Sequence, residues 1–128
     1  KDRVEIQITD MLDPNSEIPG GADVYWMSQF LDCFSDDEIV SILERCHEAV
    51  TDNGFVYIME PFWDRQQLEA SAFALQQTSL YFTAIANGNS QMYDSRVFFK
   101  LVEKAGFEIV DVIDNIGMCQ TVLRLKKR

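Results

Sequence analysis

Apolar and polar positions along the chain change period several times, and each change predicts an element. Val4-Glu5-Ile6-Gln7-Ile8-Thr9 alternates strictly and is β-branched, which predicts a first strand closing at Asp10. Leu12 to Gly21 holds two prolines, two glycines, Asn15 and Ser16, the composition of a surface loop. Ala22 to Leu31 is largely apolar, as expected of a buried parallel strand and the turn after it. Ser35-Asp36-Asp37-Glu38 carries the capping-box pattern, and Ile39, Ile42, Leu43, Cys46 and Val50 then follow at helical spacing. Asp52-Asn53-Gly54 is a turn, and Phe55 to Met59 is a second buried strand ending on Glu60-Pro61. Strand, helix and strand in this order predict a right-handed parallel βαβ unit.

The second half predicts a long helix over about Asp64 to Ala86, interrupted at Asn87-Gly88-Asn89-Ser90. A further helix is capped by Asp94 or Ser95, buries Phe98, Leu101, Val102 and Ala105, and stops at Gly106. Phe107 to Ile113 and Thr121 to Leu125 have no helix between them, so they pair as an antiparallel hairpin at the sheet edge.

Composition narrows the function classes. A chain of 128 residues has room for one domain, and 47% hydrophobic with 25% charged residues is ordinary for a folded soluble protein. The formal charge of -10 repels phosphate backbones and anionic lipid, which argues against nucleic-acid and membrane-surface partners. Cys33, Cys46 and Cys119 are odd in number and lack metal-ligand spacing, and His47 is the only histidine. No metal is therefore expected, and a cytoplasmic, reducing environment is. The chain has no initiator Met and enters its first predicted strand at once, so it reads as a piece of a larger protein.

Three stretches, taken in order, resemble the catalytic domain of plant-type and bacterial small-molecule O-methyltransferases. Ile8-Thr9-Asp10-Met11-Leu12-Asp13-Pro14 is similar to the family's strand ending in a Gly-Asp-Met-Phe-type segment. Ala22 to Asp36 resembles its strand running into a Leu-His-Asp-Trp-Ser-Asp segment, and Tyr57-Ile58-Met59-Glu60-Pro61 matches the next strand and its acidic end. Ala105-Gly106-Phe107 resembles the tripeptide before the last two strands. The resemblance implies an α/β fold, a partial Rossmann-like sheet of parallel strands with a C-terminal antiparallel hairpin and helices on both faces. Residues 1–128 would be the C-terminal part of the catalytic domain. The implied activity is methyl transfer from S-adenosylmethionine to a small-molecule acceptor, at oxygen, by the intact protein. The alternative is a degenerate member that binds ligand without transfer. The Gly-rich cofactor turn is not in this stretch, so the fragment alone is expected to be inactive. Sheet strands that would separate the first and second strands are also missing, and the unpaired edges predict a homo-oligomer.

Residue by residue, the resemblance places the adenine ring at Asp10 and Met11: a strand-end carboxylate accepts from the exocyclic amine and a thioether packs on the ring. Bland alternatives are a turn aspartate and a core methionine. A basic residue that approaches the cofactor in the family is Ser28 here. The family's general base, a histidine, is Asp32; one of the acidic residues that orient it matches Glu60, and the other falls at Met92. An unperturbed aspartate, with a pKa near ~3.9, is a poor acceptor of a phenol proton unless burial or a neighbouring carboxylate raises it. Asp32 is otherwise a helix-capping residue, and Glu60 a solvated strand end. Trp26, Phe62, Trp63 and Met92 are candidate acceptor-pocket residues, with Asn87, Asn89 and Tyr93 as polar contacts. His47, beside Cys46 on an amphipathic helix, is expected at the surface.

Overall fold

A computed structural model describes residues 3–86 and 88–128. Its centre is one four-stranded sheet. β1 (Val24–Ser28) pairs in parallel with β2 (Phe55–Glu60), β2 pairs antiparallel with β4 (Gln120–Lys127), and β4 pairs antiparallel with β3 (Phe107–Ile116). The order β1-β2-β4-β3 realises the predicted parallel pair and C-terminal hairpin, and the α/β class with them. The hairpin strands run longer than expected and are joined by a turn in which Gly117 takes a φ of 62°.

α1 (Asp36–Ala49) begins as its sequence directs. The Glu38 carboxylate accepts from the Ser35 backbone N–H and hydroxyl, both at 2.8 Å, satisfying a donor the helix leaves free. Its predicted stripe of Ile39, Ile42, Leu43, Cys46 and Val50 is wholly buried. α3 (Ser95–Lys104) is capped by Asp94, which accepts from the Arg96 N–H, and it buries Phe98 and Val102. Gly106 follows at a φ of 90°, where an L side chain would be strained. Pairing sets Val56 opposite Leu125 and Ile58 opposite Leu123, so these four side chains share a face and close one core with α1 and α3. His47 is half-buried rather than superficial: its ring meets Phe107 edge-on at 5.1 Å, below Gly106.

Three expectations are corrected. Val4–Thr9 forms no strand, and residues 3–23 contain neither strand nor helix. Val4, Ile6 and Ile8 are 79, 88 and 97% exposed. Alternation supplies a face, but a strand also needs a neighbour for its backbone groups, and β1 pairs with β2 alone. Second, the long helix is divided. Trp63–Arg65 is a 3-10 turn, α2 covers Glu69–Tyr81, and Phe82–Ala86 is a π-helical turn. Tertiary contacts fix the first part: Asp64 accepts from the Ser95 N–H and hydroxyl at 2.7 and 2.6 Å, and Arg65 grips Asp114 through two bonds. Third, α1 and α3 pack on the same side of the sheet, while α2 buries none of its residues. The packed helices therefore cover one face rather than both among the described residues, and Val24 and Trp26 of the other face are more than half exposed.

The join between α1 and β2 is tight. A Cβ added at Gly54 would stand 2.6 Å from Val50 Cγ2 and 2.8 Å from the Asp23 carbonyl oxygen, which accepts from the Phe55 N–H. Gly54→Ala is therefore expected to cost about 1–3 kcal/mol. Urea unfolding followed by circular dichroism should show a lower midpoint with an unchanged slope.

Candidate active site

The site forms where the parallel strands end. Ser28 closes β1 opposite Met59, and Gln29 turns the chain with a φ of 47° while its N–H still bonds the Met59 carbonyl at 2.9 Å. A 3-10 turn, Leu31–Cys33, follows and presents Asp32. Beneath it lies Glu60, the last residue of β2 and only 2% exposed. Its Oε1 accepts from the N–H groups of Phe30 and Leu31 at 2.9 and 2.8 Å, and Oε2 is buried without a bonding partner. Glu60 is thus no solvated strand end; it fastens the turn that carries Asp32.

Two carboxyl groups close together in a dry place resist ionisation. Burial pushes the Glu60 carboxyl up to about 7, the Asp32 charge adds to the rise, and the N–H bonds from Phe30 and Leu31 oppose it. Burial also raises Asp32, against a weak lowering contact from the Cys33 thiol, 3.5 Å away. The backbone of Asp32 is held from the other side as well, its carbonyl accepting from the Gln91 N–H at 3.0 Å. Next along the chain, the Met92 N–H donates to Ser79 Oγ of α2 at 3.1 Å, and the Tyr93 carbonyl accepts from the Trp63 N–H. Residues 90–93 therefore stitch the Asp32 turn to α2 and to the turn after β2.

An apolar cleft of about 500 Å³ opens beside this turn, with Met11, Tyr25, Trp26, Ser28 and Phe30 among its walls. Met11 and Ser28, expected at a cofactor, lie here together. Trp26, expected at the acceptor, shares this cleft, because alternation along β1 turns it with Ser28 to the uncovered face. Asp10 stands one residue outside the lining, exposed, with Oδ1 accepting the Leu12 N–H at 3.0 Å. The loop that carries Met11 is tied down by Arg45 of α1, which donates to the carbonyls of Met11 and Ser16 at 2.7 and 2.9 Å. Sequence reading missed Arg45, because its partners are 29 and 34 residues away and no local pattern announces them.

The candidate acceptor residues are dispersed. Trp63 is half-buried and lines a separate groove of about 440 Å³ with Asp64, Glu69 and Phe73. Met92 is 8% exposed. Phe62 is fully buried against Phe98 and Phe99, with ring centroids 5.2 and 6.0 Å away, so it is a core residue and faces no cleft. The sequence places it directly after the strand end, but β-alternation at Glu60 and Phe62 points both inwards. Tyr93 is buried too; its hydroxyl donates to the Phe34 carbonyl or Asp36, each at 3.0 Å. Asn89 is exposed, and Asn87 lies outside the described residues. No group of three or more potential metal ligands occurs among the described residues, and no helix there is long and apolar enough to cross a membrane.

Known proteins share this fold. The profile of the O-methyltransferase domain family matches residues 1–108. Among characterised relatives, 3-amino-4-hydroxybenzoate 4-O-methyltransferase of Streptomyces cremeus is 30% identical over 95 residues, 74% of this chain and 25% of that protein. O-methyltransferase SfmM3 of Streptomyces lavendulae is 28% identical over 109 residues, 84% of this chain and 32% of that protein. The chain thus spans about a quarter to a third of these relatives' length. In fold it is similar to the mitomycin 7-O-methyltransferase MmcR, with a TM-score of 0.81 at 23% identity over 99% of this chain and 35% of that one. The O-methyltransferase NcsB1, solved with S-adenosylmethionine and 2-hydroxy-5-methyl naphthoic acid, has a TM-score of 0.76 at 20% identity over 98% of this chain and 34% of that one. A domain profile that covers most of the chain, on a sheet whose strand ends converge as described, makes this chain a member of the O-methyltransferase domain family.

Proposed function

We propose that these residues are the C-terminal part of a catalytic domain whose intact protein transfers a methyl group from S-adenosylmethionine to a hydroxyl on a small aromatic molecule. The observation that carries the proposal is the pairing of Asp32 with buried Glu60 at adjacent parallel strand ends, directly beside the Met11–Trp26–Ser28 cleft. Open α/β sheets bind ligands at such carboxyl ends. Phe30 joins the two features, lining the cleft and donating its N–H to Glu60. Relatives named for a hydroxybenzoate and solved with a hydroxylated naphthoic acid support an aromatic acceptor.

The residues present fit the nucleoside end of the cofactor. Met11, Trp26 and Phe30 offer an apolar lining and Ser28 a hydroxyl, while Asp10 lies next to the lining residues Thr9 and Met11 in the chain. S-adenosylmethionine supplies an electrophilic methyl on a cationic sulfur, and the Asp32 carboxylate favours that charge. Asp32 is the base: its carboxylate would take the acceptor's hydroxyl proton when the bound cofactor supplies the methyl group. Its raised proton affinity suits that task better than an ordinary aspartate. Glu60 keeps Asp32 in place through the backbone. The 128 residues alone hold no Gly-rich turn after a strand, so transfer belongs to the intact protein.

Self-association follows from the free β1 edge and the exposed, alternating Val4, Ile6 and Ile8: the chain pairs with a second copy. Light scattering on the 128 residues should give a dimer or larger species, and a monomer at every concentration would refute this.

The intact protein, incubated with S-adenosylmethionine carrying a labelled methyl group, is expected to label phenols as methyl ethers. Asp32→Asn should lower kcat about 10²–10⁴-fold. Binding of the cofactor without transfer to any of a broad phenol panel would favour the degenerate reading, for which the missing histidine at position 32 is the motivating observation.

Glu60 also makes stability depend on pH. Its carboxyl titrates near 7 in the fold against 4.5 when free, so the fold holds a proton that the unfolded chain releases. The stabilisation is complete below pH 4.5 and is lost as pH rises through 7. The loss amounts to about 3 kcal/mol. Glu60→Gln should remove this slope; denaturation midpoints of the two proteins that run parallel between pH 4 and pH 8 would contradict the assignment.

A further inference from the structure

The cleft beside β1 has one wall of strand and one of irregular chain, and the second owes its Met11 end to one side chain. Trp26, Ser28 and Phe30 line the cleft from β1 and the turn after it; Met11, Ile18 and Pro19 line it from the loop. Within the loop, Asp10 Oδ1 accepts from the Leu12 N–H at 3.0 Å and Asp13 Oδ1 from the Asn15 N–H at 2.9 Å. Such local turns shape the segment without fixing where it lies. Its place comes from α1. Arg45 Nη2 donates to the Met11 carbonyl at 2.7 Å and Nη1 to the Ser16 carbonyl at 2.9 Å. Nε reaches back to the Ser41 carbonyl of its own helix at 3.3 Å, so the planar group is braced while it grips the loop at two points. The later part of the loop has other ties: Tyr25 donates its hydroxyl to the Pro19 carbonyl, and the Gly21 N–H donates to the Ala49 carbonyl at 3.0 Å.

The Asp32 turn is held by a separate set of bonds, from Glu60 and from the Gln91 N–H. Arg45 lies in the second half of α1, whereas Asp32 comes before its first turn. Granted the proposed function, Met11 meets the nucleoside end of the cofactor, and whatever fixes Met11 sets how many molecules are ready to bind it. We propose that Arg45 is a positioning residue for the cofactor: by holding the Met11 carbonyl against α1 it sets the affinity for S-adenosylmethionine and leaves the transfer step to Asp32. Without the clamp, the share of molecules with the wall in place falls, and the apparent affinity falls by that share. Once the cofactor is bound the wall is formed, so the rate at saturation stays that of the wild type. A lysine offers a point charge on a flexible stem in place of a planar fork, and restores the clamp only in part.

Calorimetry with S-adenosylhomocysteine and labelled methyl transfer to a phenol test this on the intact protein, with Arg45→Met, Arg45→Lys, Met11→Ala and the Arg45→Met, Met11→Ala double variant. Arg45→Met is expected to weaken S-adenosylhomocysteine binding about tenfold or more and to raise the KM for S-adenosylmethionine to match. Its kcat and its KM for the phenol should stay within about twofold of the wild type. Arg45→Lys should fall between the two, and it carries the comparison if Arg45→Met does not fold. In the double variant the two losses of affinity should not multiply, because both remove the same wall. Gly54→Ala, destabilised at the join of α1 and β2, should keep wild-type affinity, which separates positioning from a general loss of stability. Wild-type affinity in either folded Arg45 variant would overturn the inference. So would losses that multiply in the double variant, a kcat that falls in step with affinity, or an equal loss in Gly54→Ala. Affinities in the expected order without transfer by any of the proteins would remove the proposed function and leave the role of Arg45 standing. No binding by the wild type removes both.

Discussion

A single buried carboxylate holds the candidate site together. β1 and β2 are parallel neighbours, and the chain leaving β1 must bend sharply before α1 can begin. The left-handed residue at Gln29 makes the bend and leaves the next two N–H groups without partners from the sheet. Glu60 accepts from both, at the cost of holding its own carboxyl where water does not reach. Burying such a group is unfavourable unless its hydrogen bonds are made, and here two are made on one oxygen. The turn, the helix start at Ser35 and the position of Asp32 all depend on that exchange.

The second constraint is the anchoring of irregular chain. Residues 3–23 have no secondary structure to fix them, yet Met11 belongs to the cleft wall. Arg45 supplies the anchor with donors fixed in a plane, aimed at two carbonyls from a helix that is itself locked into the core. Tyr25 adds another tie, its hydroxyl reaching the Pro19 carbonyl. A loop held by side chains from rigid elements gives a site positioned walls without regular structure of its own.

These two constraints explain what was legible in the sequence. α1 could be read almost residue by residue, because its cap, its stripe and the turn at Gly54 are all local signals. The same holds for the Asp94 cap, the stop at Gly106 and the closing hairpin. The pairing of Asp32 with Glu60 followed from the resemblance, which supplied a long-range spacing that periodicity lacks. What escaped was every feature set by a distant partner: the Arg45 clamp, the division of the helix after Asp64, and the inward turn of Phe62. The failure of Val4–Thr9 to pair has the same origin, since a pattern within a segment says nothing about whether a neighbour exists.

Having an aspartate at position 32 changes more than the strength of a base. A neutral histidine gains a positive charge when it accepts a proton, and a flanking glutamate stabilises that change. Asp32 begins negative and becomes neutral, and its charge opposes the ionisation of the Glu60 carboxyl beneath it. The Asp32 charge raises the proton affinity of Glu60, and burial raises that of both carboxyl groups. Under the proposed function, Asp32 would be negative while the cationic donor is bound and neutral once the acceptor's proton is taken up. The same fold and the same Glu60 can thus serve a different electrostatic cycle once one side chain on the turn is exchanged.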